Sequence, residues 1–233
     1  MNLFYQPLIP RGALYLDPDE SRHAVKVLRK RNGDAIRITD GNGVFYEGII
    51  TDADARQCAF EIHTSTPEPR RNFKIHIAIS PTKNTDRIEW FVEKSVELGV
   101  DEITLLQCEH TERQHLKIER LKKNAISAMK QSLKAWLPIL HPIISFKDFV
   151  PSATEEQKFI AHVDDQNHFH LQRAVDPGLP YLVLIGPEGD FSSDELTLAK
   201  RYGFKKVSLG SSRLRTETAG LAACHILNLA NTP

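Results

Sequence analysis

The 233-residue chain has only three cysteines, Cys58, Cys108 and Cys224, far apart and without a CxxC pair. That number and spacing exclude a disulfide scaffold and a thiolate zinc site, and they suit a reducing cytoplasm. No apolar run approaches the ~18–20 residues that a membrane-spanning helix needs, so no membrane partner is expected. The first residues, Met1-Asn2-Leu3-Phe4-Tyr5-Gln6-Pro7, lack a basic stretch followed by an apolar one. No secretory leader is therefore expected, and the expected location is cytoplasmic. There is no internal repeat and no low-complexity tract. Net charge is absent as well, with 30 Lys+Arg against 30 Asp+Glu. A zero sum argues against strong binding to bulk nucleic acid, which depends on phosphate neutralisation. The ten histidines are scattered. The densest group, His162 with His168-Phe169-His170, and the near-pair Cys108-x-His110 have no second ligand pair behind them, so no metal site is expected.

What remains is ordinary globular composition, 41% hydrophobic and 26% charged, enough for one large domain or two modest ones. Residues 1–72 read as a small, mostly β unit. Asp17-Pro18-Asp19-Glu20 supplies an N-cap, a proline at the first helical position and a Glu at N3, and Ala24, Val27 and Leu28 follow at helical spacing. Ile36 and Ile38 alternate with polar residues, Asp40-Gly41-Asn42-Gly43 signals a hairpin, and Val44–Ile50 and Cys58–Ile62 read as further strands. Short strands with tight turns suggest a small barrel. Thr64–Arg71, with two prolines, reads as a linker.

From Phe73 onward strands and helices alternate. Lys74–Ser80, Glu102–Leu106, Phe159–Val163, Tyr181–Ile185 and Val207–Leu209 read as strands. Ile88, Phe91, Val92, Ser95 and Val96 make a helical stripe ended by Gly99, and a long helix is expected over about Leu116–Trp136. Ser192 with Glu195 makes a capping box for a helix through Tyr202. Ala219, Ala222, Ala223, Ile226, Leu227 and Ala230 give the last helix an apolar face. Such alternation predicts a mainly parallel sheet with helices on both faces.

In such a sheet, ligands bind beyond the carboxyl ends of the strands. Two strand-end loops stand out. Gly186-Pro187-Glu188-Gly189-Asp190-Phe191 runs from a buried strand into a helix amino terminus, whose N–H groups suit an anionic or polar ligand; a tight turn needing positive φ is the plainer reading. It is neither GxGxxG nor GxxxxGK[ST], which disfavours a dinucleotide or P-loop site. Leu209-Gly210-Ser211-Ser212-Arg213-Leu214-Arg215-Thr216-Glu217 sets charge before the final helix; helix capping by Thr216 with Glu217 in the first turn is the plainer reading there.

Taken together, Leu184-Ile185-Gly186-Pro187-Glu188-Gly189-Asp190-Phe191-Ser192 and Leu209-Gly210…Leu214-Arg215-Thr216-Glu217-Thr218-Ala219 closely resemble the signature of the ribosomal RNA small subunit methyltransferase E family, of the SPOUT superfamily. His23–Arg29, Thr39–Gly43, Lys83…Asp86-Arg87-Ile88-Glu89, Glu93-Lys94…Glu97-Leu98-Gly99, Glu112-Arg113 and Met129–Ser132 agree, so the resemblance covers nearly the whole chain. It implies a PUA-like β-barrel RNA-binding domain over residues 1–72 and a SPOUT-type knotted α/β domain over 73–233. It also implies a homodimer, S-adenosylmethionine bent into the knot loops, and methylation at N3 of one uridine in small-subunit (16S) ribosomal RNA within an assembled 30S particle. Two positions depart from the family pattern. Asp190 stands where a second glycine is usual, and Ser212-Arg213 displaces one basic group by a residue.

On this reading the backbone of Leu184, Gly186, Gly189, Leu209, Gly210 and Leu214 holds the cofactor. Arg215 holds the uracil oxygens or a neighbouring phosphate, its planar fork suiting either, and Glu217 is a base or an Arg-orienting partner. Arg22, Lys26 and Arg29, spaced to share one helix face, join Lys83, Arg87 and Arg113 as RNA contacts. A second basic run, Lys117, Arg120, Lys122, Lys123, Lys130 and Lys134, lies along the long helix. A methyltransferase of the same fold acting elsewhere in RNA, and a non-enzymatic ribosome-binding protein, are the competing readings.

Overall fold

Alternating apolar residues fold the amino-terminal part of the chain into a four-stranded sheet. The computed structural model describes residues 2–113, 115–162 and 169–232. They form two compact units: residues up to Arg70 together with Ile126–Leu137, and Arg71–Ala125 together with residues from Pro138 on. In the first, β1 (Leu3–Tyr5), α1 (Pro18–Arg22), β2 (Ala35–Thr39), β3 (Val44–Asp52) and β4 (Ala59–Pro67) follow in sequence. The strand order is β1-β2-β3-β4, with β1 parallel to β2 and the remaining pairs antiparallel. Phe4, Leu16, Ile36, Ile38, Ile50 and Phe60 are buried together on one face. The β2–β3 turn is held by Asp40, whose Oδ1 accepts from the amides of Asn42 (2.8 Å) and Val44 (3.3 Å). Gly43 has φ +93°, and a Cβ there would fall 2.1 Å from the Trp136 ring, so only glycine serves. Trp136 donates from Nε1 to the Glu68 carbonyl (3.1 Å) and lies under the Arg70 guanidinium.

Two expectations fail in this unit. The first helix does not stay regular through Leu28. After Arg22 it widens into a π-helical turn at His23–Val27, and Arg29 takes a left-handed φ of 55°. The wider turn breaks the three-and-four spacing, so Val27 is 65% exposed and Arg29 leaves the face of Arg22 and Lys26. The expected linker at Thr64–Arg71 is half strand, because Thr64–Pro67 pair with Val44–Glu47 in β4. β-Branched Thr64 and Thr66 suit a pleated surface, and Pro67 stands at the strand's end.

The second unit holds β5 (Lys74–Ile79), α2 (Thr85–Leu98), β6 (Glu102–Gln107), β7 (Ile139–Ser145), α4 (Phe146–Ser152), β8 (Gln157–Ala161), α5 (Leu171–Ala174), β9 (Pro180–Ile185), α6 (Ser193–Arg201), β10 (Lys205–Val207) and α7 (Thr216–Ala230); α3 (Ile118–Gln131) contains the division between the units. Every strand pair is parallel, in the order β10-β8-β9-β5-β6-β7. β5 and β9 lie in the middle; β9 from Tyr181 on and the second half of β5 from Ile77 are apolar on both faces, as a sheet covered on both sides requires. Ala78, Leu182 and Leu184 pack toward α4 and α6. Ile79 of β5 meets α7 at Gly220 on the other face. Each fully buried Leu, Ile or Phe contributes about 1.5–3 kcal/mol. The α2 stripe is buried as its spacing predicts, with Asn84 capping one end and Gly99, φ +93°, closing the other.

β7 and α4 carry no clear sequence signal, since Pro138, Pro142 and Pro151 interrupt both patterns; β7 tolerates its proline as an edge strand. The long helix ends at Gln131, five residues short of Trp136. Leu133 is left-handed at φ 55°, and the Ala135 carbonyl accepts from Thr39 Oγ1 and the Gly43 amide. Those tertiary hydrogen bonds replace the helical ones. Lys130 pairs with Glu20 and is 18% exposed, which withdraws it from any solvated basic face. On α7 the buried residues are Thr216, Glu217, Gly220, Ala223, Cys224 and Leu227, while Ala219, Ala222, Ile226 and Ala230 are half-buried.

Candidate active site

β8, β9 and β10 end side by side at Ala161, Ile185 and Val207, and His162 with the loops after β9 and β10 borders a pocket of about 910 Å³. Gly186, Leu209, Gly210, Leu214, Arg215 and Thr216 are among its walls. The first loop is stiffened from behind. A Cβ on Gly186 would press against the Phe191 ring at 3.1 Å, and Phe191 is buried beside Phe146. Ser192 and Glu195 form the expected capping box at the start of α6. The other oxygen of Glu195 accepts from the Glu109 amide (2.9 Å), tying the loop after β6 to the same corner. The second loop turns at Gly210, φ +129°. Thr216 is not the cap of α7. Arg215 occupies that position without a side-chain cap bond, and Thr216 Oγ1 donates to the Gly186 carbonyl at 3.1 Å. This hydrogen bond joins the two loops.

Neither Gly186 nor Gly189 has positive φ; close approach to Phe191 and His110 explains them. The left-handed residue is Asp190, φ 60°, where a glycine is usual in the pattern that the loop resembles. The Asp190 carbonyl accepts from His110 Nδ1 (3.0 Å), which raises the His110 pKa above its usual value. Its carboxylate lies 2.9 Å from His162 Nδ1, close but off the hydrogen-bonding direction. His162 thus belongs to the pocket wall, while its sequence neighbour His168 lies outside the described residues.

Arg215 is exposed at the pocket, as is Arg213. Glu217, in the first turn of α7, is buried and does not line the pocket. Its Oε1 lies 3.8 Å from Arg87 Nε, and its Oε2 is buried without a hydrogen-bond partner. The helix amino terminus favours a carboxylate in that position. Of the six residues expected at a cofactor, Gly186, Leu209, Gly210 and Leu214 line the pocket. The side chain of Leu184 is fully buried in β9, and Gly189 packs on His110. Lys83 pairs with Glu112 (2.9 Å), and Arg113 donates twice to the Lys83 carbonyl. Arg22, Lys26 and Arg29 are exposed on the first unit.

Residues 69–228 match the model of the RNA methyltransferase domain, well over half of the chain, and residues 16–62 match that of the RNA methyltransferase PUA domain. The chain belongs to this RNA methyltransferase family. Among solved structures it is similar to a probable rRNA-methyltransferase of Porphyromonas gingivalis, at 43% identity and TM-score 0.92, covering 98% of this chain and 99% of that one. It is also similar to ribosomal RNA small subunit methyltransferase E of Neisseria gonorrhoeae bound to S-adenosyl methionine, at 28% identity and TM-score 0.85, covering 99% and 98%. The enzyme of the same name from Rickettsia conorii is 26% identical over 219 residues, 93% of this chain and 89% of that protein. Family membership accounts for the PUA unit at the amino terminus and the parallel sheet behind the pocket. His162, which the sequence assigned to no site, and Thr216, which it read as a helix cap, line the pocket as well. The Thr next to Arg215 was the signal the sequence offered.

Proposed function

We propose that this chain transfers a methyl group from S-adenosylmethionine to N3 of one uridine in small-subunit (16S) ribosomal RNA, acting on an assembled 30S particle as a homodimer. The observation that carries this reading is the pocket at the ends of β8, β9 and β10, walled by the glycine- and leucine-bearing loops together with His162, Glu188 and Asp190 and bordered by Arg215. The cofactor fits these residues. The volume suits a nucleoside-sized ligand, and Gly210 presents bare backbone there, with no atom within 4 Å of the place a Cβ would take. When bound, S-adenosylmethionine supplies an already activated methyl group on a sulfonium.

The chain's own task is therefore mainly positioning. The Arg215 guanidinium faces the uracil and stabilises charge on O2 and O4 as N3 loses its proton. Glu217, buried and away from the pocket, orients Arg87 rather than acting as the base. Arg87 then offers a fixed cation to the RNA, with Lys83 and Arg113 alongside on the second unit. Residues 1–72, with Arg22, Lys26 and Arg29 exposed, serve as the RNA-binding domain and 73–233 as the catalytic domain. A carboxyl-terminal trefoil knot belongs to the same reading: α7 returns to β5 and β9 after the chain has passed through edge strand β10. Half-buried Ala222 and Ile226, with Leu229 53% exposed, support α7 as the dimer surface.

The test is methyl transfer to small-subunit particles that lack the modification, followed by mapping of the product base. N3-methyluridine at a single position is the expected product; methyl transfer to another base would overturn the assignment.

A further inference from the structure

At the opposite end of the parallel sheet from the pocket, four side chains that no sequence motif connects converge. His76 is the third residue of β5, Glu102 the first of β6, His141 the third of β7, and Glu155 follows α4. One ligand atom from each of His76, Glu102 and Glu155 lies within 4.8 Å of the other two, and His141 stands outside that group. Glu102 Oε2 lies 3.6 Å from His76 Nδ1 and 3.5 Å from His141 Nε2. Ligands about 2.0–2.1 Å from a tetrahedral zinc ion stand about 3.3–3.4 Å apart, so both spacings are close to edges of such a tetrahedron. We infer that His76, Glu102 and Glu155 form a site for a divalent zinc ion, whose fourth position is taken by the half-exposed His141 of edge strand β7 swinging in from beside Glu102.

The surroundings have the parts that hold such ligands in place. His76 is 5% exposed, its ring edge-on to Phe149 at 5.7 Å. Its second nitrogen, Nε2, lies 2.8 Å from Thr104 Oγ1. Ligation through Nδ1 places the imidazole proton on Nε2, where Thr104 accepts it, the outer-shell contact that ligating histidines usually make. Lys74 Nζ holds the other oxygen of Glu102 at 2.6 Å and leaves Oε2 directed at the two imidazoles. Glu155 Oε1 hydrogen-bonds His76 Nδ1 at 2.6 Å. It must withdraw by roughly 0.7 Å to share an ion with that nitrogen. The chain can allow this because Glu155 belongs to no helix or strand. Two imidazoles and two carboxylates favour zinc over magnesium or calcium, which prefer all-oxygen shells. Once His141 has moved in, four protein ligands leave no open position, so the ion's role is structural: it cross-links β5, β6 and β7 to the segment after α4.

The experiment uses the full chain, free of any affinity tag and stripped with a chelator, titrated with Co²⁺ and then Zn²⁺. One equivalent of Co²⁺ should produce the intense visible absorption of a four-coordinate ion, and Zn²⁺ should abolish it by displacement. Bound Zn²⁺ should also raise the melting temperature. His141→Ala and Glu155→Gln alter partly exposed side chains, and each should weaken binding at least tenfold while the far-ultraviolet spectrum stays native. His63→Ala, on the first unit, should change nothing. Only the weak spectrum of a six-coordinate ion, or unchanged binding in both variants, would overturn the site.

Discussion

Thr216 Oγ1 and the carbonyl of Gly186 are joined by a 3.1 Å hydrogen bond that links the first turn of α7 to the loop after β9. Both loops wall the same pocket. Thr216→Val keeps the shape and removes the donor, leaving a carbonyl short of a partner at a cost of about 1–3 kcal/mol. A lower melting temperature is expected, together with several-fold weaker S-adenosylmethionine binding by calorimetry. Unchanged affinity would mean that the two loops hold their spacing without this bond.

Arg215 is exposed at the pocket and makes no cap bond to α7, so its removal costs the fold little. Arg215→Ala should lower methyl transfer by at least about 100-fold, the scale for losing a donor to developing negative charge. Cofactor binding should be largely retained. A variant transferring methyl at the wild-type rate would remove Arg215 from the site.

Asp190 bears positive φ and a side chain that approaches His162. Asp190→Ala keeps the unfavourable backbone and loses the carboxylate, whereas Asp190→Gly relieves the backbone, a difference of roughly 1 kcal/mol. The alanine variant should therefore melt below the glycine variant in thermal denaturation. The reverse order would show that the left-handed backbone at position 190 costs the fold nothing.

His110 donates to the Asp190 carbonyl, with Glu109 and Glu195 nearby, and all three favour its charged form. A histidine whose folded pKa is raised stabilises fully below its unfolded value near 6.5 and loses that contribution as pH rises through the folded value. The melting-temperature gap between the wild type and His110→Ala should be widest below about pH 6.5. It should close toward alkaline pH. A gap that widened with pH would contradict the assignment.

Gly220 sits where α7 crosses α2 and β5. A Cβ there would fall 2.6 Å from Phe91 Cε2 and 2.8 Å from Ile79 Cδ1, both on fully buried side chains. Gly220→Ala gains about 1 kcal/mol of helix propensity. Overpacking costs typically about 1–3 kcal/mol, and with two rigid neighbours the cost should win. Chemical denaturation should show a net loss of stability.

Local signals were legible where local physics decides. The α2 stripe with its Gly99 stop, the Ser192–Glu195 box and the Asp40–Gly43 turn are all where the sequence predicts. The loops bordering the pocket were legible too, because the resemblance rests on both. Non-local features were not. The π-helical turn at His23–Val27 uses residues of ordinary helical propensity, and nothing in Leu133–Trp136 announces that Ala135 accepts from Thr39 and Gly43. The side chain of Leu184 is buried in the core of β9, a fact that leaves its expected backbone role untouched. His76, Glu102, His141 and Glu155 come together only through the parallel register of three strands.

The return of Ile126–Leu137 to the amino-terminal unit has a consequence for how the protein is made. Trp136 seals the turn at Gly43, and Ala135 supplies two of its hydrogen bonds, yet both are synthesised more than sixty residues after Arg70. At about 5–20 residues per second the ribosome needs roughly 3–13 s to cover that interval. During it, the nascent sheet has an unsealed turn and waits for a segment still being translated. A fragment cut at residue 72 would remain in that waiting state permanently.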